Sequence, residues 1–180
     1  MTNPALYHPA SLAQTVRVSR VLFERFIKGF DDSNRTTQAM DMPNHAAWSM
    51  GHMALTLHRG AERLIDGPLP ETDFIEGSDQ GDAERFGTES VCYGSVPTDD
   101  PDRYPSWARC GQIFGNAVER LATTVEASTP EALAELTQWG VGGGGIPKGD
   151  LVSRLAFHHG THAGQLIDLR RALKMGSAFS

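Results

Sequence analysis

The chain has 180 residues, of which 39% are hydrophobic and 21% are charged. These values are typical of one globular domain that can bury a full core, and they exclude a disordered or fibrous protein. The formal net charge of −6 argues against nucleic acid or an anionic membrane as a partner, because both attract basic surfaces.

No stretch of the sequence predicts export or membrane insertion. The opening MTNPALYHPASLAQ lacks the basic and apolar regions of a signal peptide, and no apolar run is long enough to span a bilayer. The two cysteines, Cys92 and Cys110, are too few for a disulfide framework and match no zinc-ligand spacing. We predict a cytoplasmic protein with one domain over residues 1–180. Its thiols are expected to be free, with a Cys92–Cys110 disulfide as the open alternative.

The first two helices are predicted from apolar residues that recur every three or four positions. The first runs from about Pro9 to Phe30, with Ser11 as its N-cap and an end at Gly29. The second runs from about Asn44 to Asp66, with Asn44 as its N-cap. It is apolar on more than one side, which is typical of a helix with several neighbours.

Two further long helices and one short helix follow. The third long helix runs from about Pro105 to Ala127 and carries Cys110 in its apolar stripe. The short helix is expected at about Pro130–Leu136. The fourth long helix starts at an N-cap, Asp150, and continues to Lys174. Its apolar stripe consists of Leu151, Leu155, His158, His162, Leu166, Leu169 and Leu173.

Two long connections separate these helices. Residues 67–104 contain glycines, prolines and many acidic residues, and residues 128–149 contain the run GVGGGG. Connections of this length cross a fold or serve a site. With no alternating strand pattern, the sequence predicts an all-α four-helix bundle with a long crossover between helices two and three. The long helices then run up-down-down-up, and helices two and three are parallel.

A histidine pair on the fourth helix is the first candidate for chemistry. His158 and His162 in HHGTHAGQLIDLRR are one turn apart, so their side chains leave one helix face about 5–6 Å apart. Both replace leucine-like positions in the apolar stripe. Burying two imidazoles side by side is costly without partners, and a cation that accepts both lone pairs removes that cost. His159 lies about 100° around the helix and is expected to be flanking or exposed.

A metal site of the catalytic type needs a third ligand, and the second helix offers three histidines. His52 shares a face with Trp48 and Leu55, which places it on a buried side in the middle of the helix. His45 and His58 are expected nearer to solvent. His52 is therefore the predicted third ligand, although histidines that only pack and hydrogen-bond in a metal-free bundle remain the alternative.

Other residue patterns in the sequence do not predict a second site. The glycine run precedes PKGD and lacks the lysine-hydroxyl pair of a phosphate loop, so we interpret it as a flexible lid or a linker. No Glu-x-x-His pair of a di-iron bundle is present on the fourth helix. Gln165 shares a face with His158 and His162, and it is expected either to contact a metal-bound water or to join two helices. Arg170 and Arg171 are interpreted as helix-end charges.

The two histidine segments together resemble the DinB-like, or YfiT-like, superfamily of metal-binding four-helix bundles. PNHAAWSMGHMALTLHR, residues 43–59, matches that family's N-x-x-x-W-x-x-x-H stretch with Asn44, Trp48 and His52. HHGTHAGQLIDLRRALKMG, residues 158–176, matches its H-x-x-x-H pair followed by Gly-Gln and L-x-x-L-R-R. GSVPTDDPDRYPS, residues 94–106, is similar to the loop that enters the third helix in one branch of the family.

The resemblance implies metal ligation by His52, His158 and His162, with Trp48 and Gln165 lining the site or supporting the ligands. Three imidazoles suit zinc, nickel, iron or copper, and zinc or nickel are the first choices, followed by iron. Characterised members of the family include S-transferases and an isomerase that use mycothiol, bacillithiol or glutathione. The resemblance therefore implies an enzyme dependent on a metal and a low-molecular-weight thiol. The alternative is a stress-associated metal-binding bundle without turnover. A small-molecule substrate and a homodimer are expected with the first reading.

Overall fold

Six α-helices account for most of the residues that the computed structural model describes, which are 3–39, 42–65, 67–140 and 144–178. Four of these helices are long and two are short. The chain is therefore an all-α protein in the part described, as predicted. The helices are α1 Pro9–Phe26, α2 Ala46–Leu64, α3 Thr88–Val91, α4 Trp107–Glu126, α5 Pro130–Ala134 and α6 Lys148–Ala172.

Short strands and single 3-10 turns occupy parts of the connections. β1 (Phe74–Ile75) pairs in parallel with β2 (Phe86–Gly87), and β3 (Leu136–Gln138) pairs antiparallel with β4 (Gly145–Pro147). The 3-10 turns are Pro4–Leu6 and Pro101–Arg103. Within the described residues no sheet has more than two strands, and no helix is long and apolar enough to cross a membrane.

The predicted N-caps of three helices were wrong, and proline accounts for two of them. α1 begins at Pro9, so its N-cap is His8 and not Ser11. α6 begins directly after Pro147 and places the predicted cap, Asp150, inside its first turn. A proline at or before the first helical position costs no hydrogen bond, because that amide has no partner within the helix.

The N-cap of the second helix also lies one residue later than predicted. Its N-cap is His45, whose Nδ1 accepts a hydrogen bond from the Trp48 amide at 3.1 Å. His45 was expected near solvent but is fully buried, and its Nε2 lies 3.0 Å from the Thr98 carbonyl. The imidazole therefore satisfies a backbone donor of α2 and joins the helix to the long connection. The predicted end at residue 66 and residues 141–143 of the glycine run lie outside the described residues.

The relative directions of the long helices follow from contacts at their ends. Near the start of α1 and α6, the Tyr7 hydroxyl donates to the Asp150 carboxylate at 3.0 Å. Near their other ends, the buried Arg170 donates to the carbonyls of Phe26 and Lys28. These two helices therefore run in the same direction. Arg170 was predicted to be a helix-end charge on its own helix, but it instead satisfies carbonyls at the C-terminal end of α1.

The other helix pairs are ordered by similar contacts. α2 and α6 run in opposite directions, since Asn44 bonds Gln165 at 3.1 Å while Gly60 lies against Leu155 near the other end. α1 and α4 are also opposed: Arg17 pairs with Glu126 at 2.9 Å, and the rings of Phe23 and Phe114 are 4.9 Å apart. Glycines on α2 allow close packing, because a Cβ at Gly60 would clash with Leu155 on α6 and a Cβ at Gly51 would come within 2.7 Å of the Phe86 ring in β2.

A buried carboxylate holds the connection between α2 and α4 against both helices. Asp73 is 2% exposed and accepts hydrogen bonds from Arg109 at 2.8 Å and Asn116 at 3.2 Å on α4. His58 on α2 lies 3.5 Å from the same carboxylate and accepts from Arg120. The prediction that His58 is near solvent was therefore wrong: it is 1% exposed because the long connection covers it.

Replacing Asp73 should destabilise the fold at neutral pH. Burial alone raises the pKa of this carboxyl, but the His58 ring beside it and the hydrogen bonds from Asn116 and Arg109 outweigh burial and hold the pKa below its usual value. A lowered pKa contributes stability above the unfolded-state value of about 3.9, and that contribution is lost as the pH falls below it. Asp73→Asn should therefore lower the free energy of unfolding by about 3 kcal/mol at pH 7.

Urea denaturation between pH 7 and pH 3, with a chelator present throughout, measures this effect. The difference between the native chain and Asp73→Asn should shrink as the pH falls through 4. Asp168→Asn is the control, because this carboxylate is 62% exposed in a surface pair with Arg171 and should change stability by less than about 0.5 kcal/mol. A pH-independent difference for Asp73→Asn would contradict the electrostatic account.

Candidate metal centre

The candidate site lies where α2 and α6 face each other. His52 is in the middle of α2, and His158 and His162 are one turn apart on α6. Each of the three rings offers a nitrogen, and these nitrogens lie within 4.8 Å of one another. The Nε2 atoms of His158 and His162 are 3.0 Å apart. The three histidines predicted as ligands are thus brought together around one point.

Two of the rings are oriented through their Nδ1 atoms. His52 Nδ1–H donates to the Val91 carbonyl at 2.8 Å. His162 Nδ1–H donates to the Gln165 side-chain oxygen at 2.8 Å, and that oxygen also accepts from the Asn44 amide at 3.1 Å. Protonation at Nδ1 leaves the lone pair on Nε2 in each ring, which is the arrangement that metal-ligating histidines adopt.

Gln165 and Trp48 support the histidines without facing the cluster as ligands. Gln165 connects His162 to Asn44 and so joins α6 to the start of α2. The Trp48 indole stacks on the His52 imidazole, with ring centroids 4.6 Å apart and planes 9° from parallel. Its Nε1–H donates to the Ser95 hydroxyl at 2.9 Å. Both side chains restrict the rotation of a ring that they touch.

The environment keeps the three imidazoles neutral. Burial lowers the pKa of His52 to about 4, opposed by its hydrogen bond to Val91 and assisted by His158. Burial together with charge on His158 and His52 lowers the pKa of His162 to about 3. Burial also lowers the pKa of His158. Neutral rings at physiological pH present lone pairs, which is the form that binds a metal.

The donor set fits a divalent transition metal. Ligand nitrogens at 2.0–2.1 Å from a tetrahedral ion are about 3.3 Å from one another, and the 3.0 Å between His158 and His162 is close to that edge. Three nitrogen ligands leave a fourth position for water or a substrate, as in catalytic sites. The set by itself does not distinguish zinc from nickel, iron or copper.

A cavity of about 610 Å³ opens onto two of the three histidines. Its wall contains His52 and His158, so a molecule in the cavity can reach the open side of the cluster. The volume is within the range of small-molecule sites. Its remaining lining residues are Thr56, Arg59, Arg63, Tyr93, Gln138, Trp139, Gly140, Arg154 and Leu155. The arginines were not singled out in the sequence, although Arg154 precedes His158 by one helical turn.

A smaller neighbouring pocket of about 220 Å³ is lined by His52, Glu89 and Cys92 among others. Neither cysteine forms a disulfide. Burial, the nearby Glu89 carboxylate and its hydrogen bond raise the pKa of the Cys92 thiol, which is the opposite of what activates a cysteine nucleophile. Burial also raises the pKa of Cys110, which packs in the core as predicted.

The prediction that His159 is flanking or exposed was wrong. Its side chain is 1% exposed. It lies on the side of α6 that faces α1 and α4, where Nδ1 is 2.7 Å from the Ser19 hydroxyl and the ring is 5.5 Å from Phe114. Its Nε2 is buried without a hydrogen-bond partner, and burial lowers its pKa to about 3. α6 has neighbours on two sides, so a residue 100° from the cluster is also buried.

Two supporting groups were not recognised in the sequence. Asn44 was interpreted as a helix cap, but its side chain bonds Gln165. The Val91 carbonyl, which orients His52, belongs to α3 in the long connection. A backbone acceptor carries no side-chain signal. Asn44 did carry one, since it stands one turn before Trp48 on the same face as His52.

Known proteins resemble the chain at two levels. A family model described as the DinB superfamily matches residues 15–166. A crystal structure of a conserved protein from Enterococcus faecalis aligns with a TM-score of 0.68 at 13% sequence identity, covering 92% of this chain and 96% of that one. At this identity the likeness concerns the fold alone. No curated protein matches the chain.

His159→Ala should destabilise the protein without affecting the three-histidine cluster. Removing a buried ring next to Phe114 and Ser19 leaves a cavity, so the free energy of unfolding should fall by about 2–4 kcal/mol. Urea denaturation measures this loss, and metal analysis of the folded variant should give the same metal content as the native chain. Thr161→Ala, at an exposed position two residues away, is the control. If His159→Ala were the variant that loses metal, the assignment of helix faces would be wrong.

Proposed function

The chain belongs to the DinB superfamily, and from this membership and the three converging histidines we propose that it binds one divalent transition metal through His52, His158 and His162. The observation that carries the proposal is the orientation of the rings. Hydrogen bonds from Nδ1 to Val91 and Gln165 leave the lone pair of each of these two rings on Nε2, the atom that faces the cluster, and the three ligand nitrogens lie within 4.8 Å of one another.

A metal-free bundle is the competing reading, and the cluster's solvent access argues against it. Histidines that serve only as core packing, such as His159, are enclosed by neighbouring side chains. His52 and His158 instead form part of the wall of the 610 Å³ cavity. Each of three neutral, adjacent imidazoles has one nitrogen that only accepts a hydrogen bond. In this cluster, one pair of rings, His158 and His162, can form a hydrogen bond between their nitrogens. A cation satisfies all three.

The proposed fold has four long helices running up-down-down-up, with the long connection crossing between α2 and α4. The end contacts described above support this order, since α1 and α6 share one direction and α2 opposes α6. The arrangement matters for the site because it places the middle of α2 opposite the second half of α6. A homodimer is part of the proposal as well, and three apolar side chains exposed on α1, Val18, Val21 and Leu22, support it.

We propose further that the site is enzymatic and uses a low-molecular-weight thiol, as an S-transferase or isomerase. A divalent ion held by three imidazoles supplies Lewis acidity that lowers the pKa of a thiol or water reaching its open side. The chain's own residues contribute the orientation of the rings, through Gln165 and Trp48, and a cavity of about 610 Å³ beside them. A stress-associated metal-binding protein without turnover is the second candidate, since the cavity alone does not require a reaction.

Metal content tests the ligand assignment. Tag-free protein should contain about one ion per chain, and His52→Ala, His158→Ala and His162→Ala should each lose most of it, because two imidazoles hold an ion much less tightly than three. Gln165→Leu should weaken affinity by about 10- to 100-fold through the loss of the acceptor for His162. Elemental analysis and competition with a coloured chelator measure both effects.

Gln112→Leu is the matched control for Gln165→Leu, because Gln112 is an exposed glutamine on α4. Its metal affinity should equal that of the native chain. Gln165→Glu, which keeps an acceptor next to His162, should retain more affinity than Gln165→Leu. Full metal content in all three histidine variants would mean that the ion lies elsewhere or that the protein holds none at this cluster.

A thiol panel separates the enzymatic proposal from the non-catalytic one. Mycothiol, bacillithiol or glutathione should alter the visible spectrum of cobalt-substituted protein. Turnover of a haloarene electrophile should require both metal and thiol, and it should rise with pH until the bound thiol is ionised. Cys92→Ser is the control and should keep full turnover, because the raised pKa of Cys92 leaves it a poor nucleophile. A panel that neither alters the spectrum nor supports turnover would favour the non-catalytic protein.

A further inference from the structure

The cavity beside the three histidines is strongly cationic for a protein of this charge. Arg59, Arg63 and Arg154 all line it, together with His52 and His158. None of the described residues in its wall is an aspartate or a glutamate, although the whole chain carries a formal charge of −6. Three guanidinium groups around one concave surface create a positive potential that favours an anion.

The arginines lie on one side of the histidine cluster. Arg154 precedes His158 by four residues, so it shares that face of α6 and is displaced by about 6 Å along the axis. Arg59 and Arg63 follow His52 by seven and eleven residues on α2. Because α2 and α6 run in opposite directions, the residues before His158 on α6 and those after His52 on α2 lie toward the same end of the cavity. A molecule can therefore reach the arginines with one end while its other end faces the histidines.

Two of the three guanidinium groups are available. Arg59 is paired with Glu62 at 3.0 Å and with Glu76, so its charge is partly neutralised. Arg63 and Arg154 are exposed, and neither pairs with any acidic side chain that the structure describes. A guanidinium presents five N–H donors in a planar fork that matches the oxygens of a carboxylate or a phosphate.

The rest of the wall suits a flat, apolar body. The indole of Trp139 and the phenol of Tyr93 line the cavity with Leu155. Aromatic walls stack on planar molecules and add affinity without specifying a polar group. A cavity of about 610 Å³ corresponds to a sphere about 10 Å across, which holds a molecule of drug-like size.

From these features we infer that the cavity binds an organic anion with a planar body, whose carboxylate or phosphate is held by Arg63 and Arg154 and whose other end faces His52 and His158. The inference rests on the proposed function, since it names the substrate class of the same site. Carboxylate and phosphate share the chemistry that the guanidinium groups recognise. The probes must therefore distinguish them.

Binding of benzoate, phenyl phosphate and benzamide tests the inference, because the three share a planar ring and differ in charge and head group. Ligand-observed NMR or calorimetry with metal-loaded protein should show at least one of the two anions binding about 10-fold more tightly than benzamide. The stronger anion identifies the head group. Arg63→Gln and Arg154→Gln should each weaken its binding by about 10-fold, and Arg154→Lys should weaken it less.

Arg171→Gln is the control, since this arginine is on the same helix as Arg154 but is 76% exposed in a pair with Asp168. Its anion affinity should equal that of the native chain. A parallel series on chelator-treated protein, with its helical content verified by circular dichroism, separates the two proposals. Anion binding that survives there and depends on Arg63 and Arg154 supports the inference even if the metal proposal fails.

Three results would overturn the inference. Benzamide could bind as tightly as both anions, which would mean that the ring alone is recognised. Both glutamine variants could keep native affinity while the chelator abolishes binding, which would place the anion on the metal and away from the arginines. Finally, neither anion could bind although the histidine variants confirm the metal site. In that case the metal proposal would stand without this inference.

Discussion

The antiparallel contact between α2 and α6 brings three imidazoles into one buried cluster, and the conformation of much of the surrounding chain follows from that arrangement. Buried imidazoles are neutral, because charging one would cost desolvation energy and would repel its neighbours. Each neutral ring still needs a partner for its N–H. The Val91 carbonyl supplies it for His52 and Gln165 for His162. The supports therefore come from the long connection and from α6 itself, so the cluster links parts of the chain that are far apart in sequence.

The periodic features of the fold could be predicted from the sequence, and the features that depend on a neighbour could not. Four long helices, the short helix near Pro130 and the buried face that includes His162 all follow from apolar spacing, which acts within one helix. Helix starts were less predictable, since Pro9 and Pro147 outweighed the polar residues chosen as caps. His159 was misplaced because we assumed that α6 buries a single apolar face. α6 packs against α2 on one side and against α1 on another, so two of its faces are buried.

The connection between α2 and α4 shows the same limit at longer range. Its acidic, glycine-containing composition is typical of an exposed loop, yet Asp73 is buried between two helices and accepts bonds from Arg109 and Asn116. The connection is held in place by contacts between residues more than thirty positions apart in the sequence. The spacing of residues within the connection does not predict such contacts. His58 was misjudged for the same reason, because the segment that covers it could not be placed from the sequence.

The contrast between His159 and the three clustered histidines shows what makes a histidine available to a metal here. His159 has an oriented ring, bonded through Nδ1 to Ser19 much as His52 is bonded to Val91. Its Nε2 nevertheless faces a closed core beside Phe114 and has no hydrogen-bond partner. The Nε2 atoms of the cluster face one another and a cavity lined with arginines. A hydrogen-bonded Nδ1 is common to His52, His162 and His159, and convergence on a reachable point is what separates the candidate ligands from the structural histidine. In a helix with two buried faces, that separation depends on which neighbour each face meets, so a shift of one residue in the sequence exchanges one role for the other.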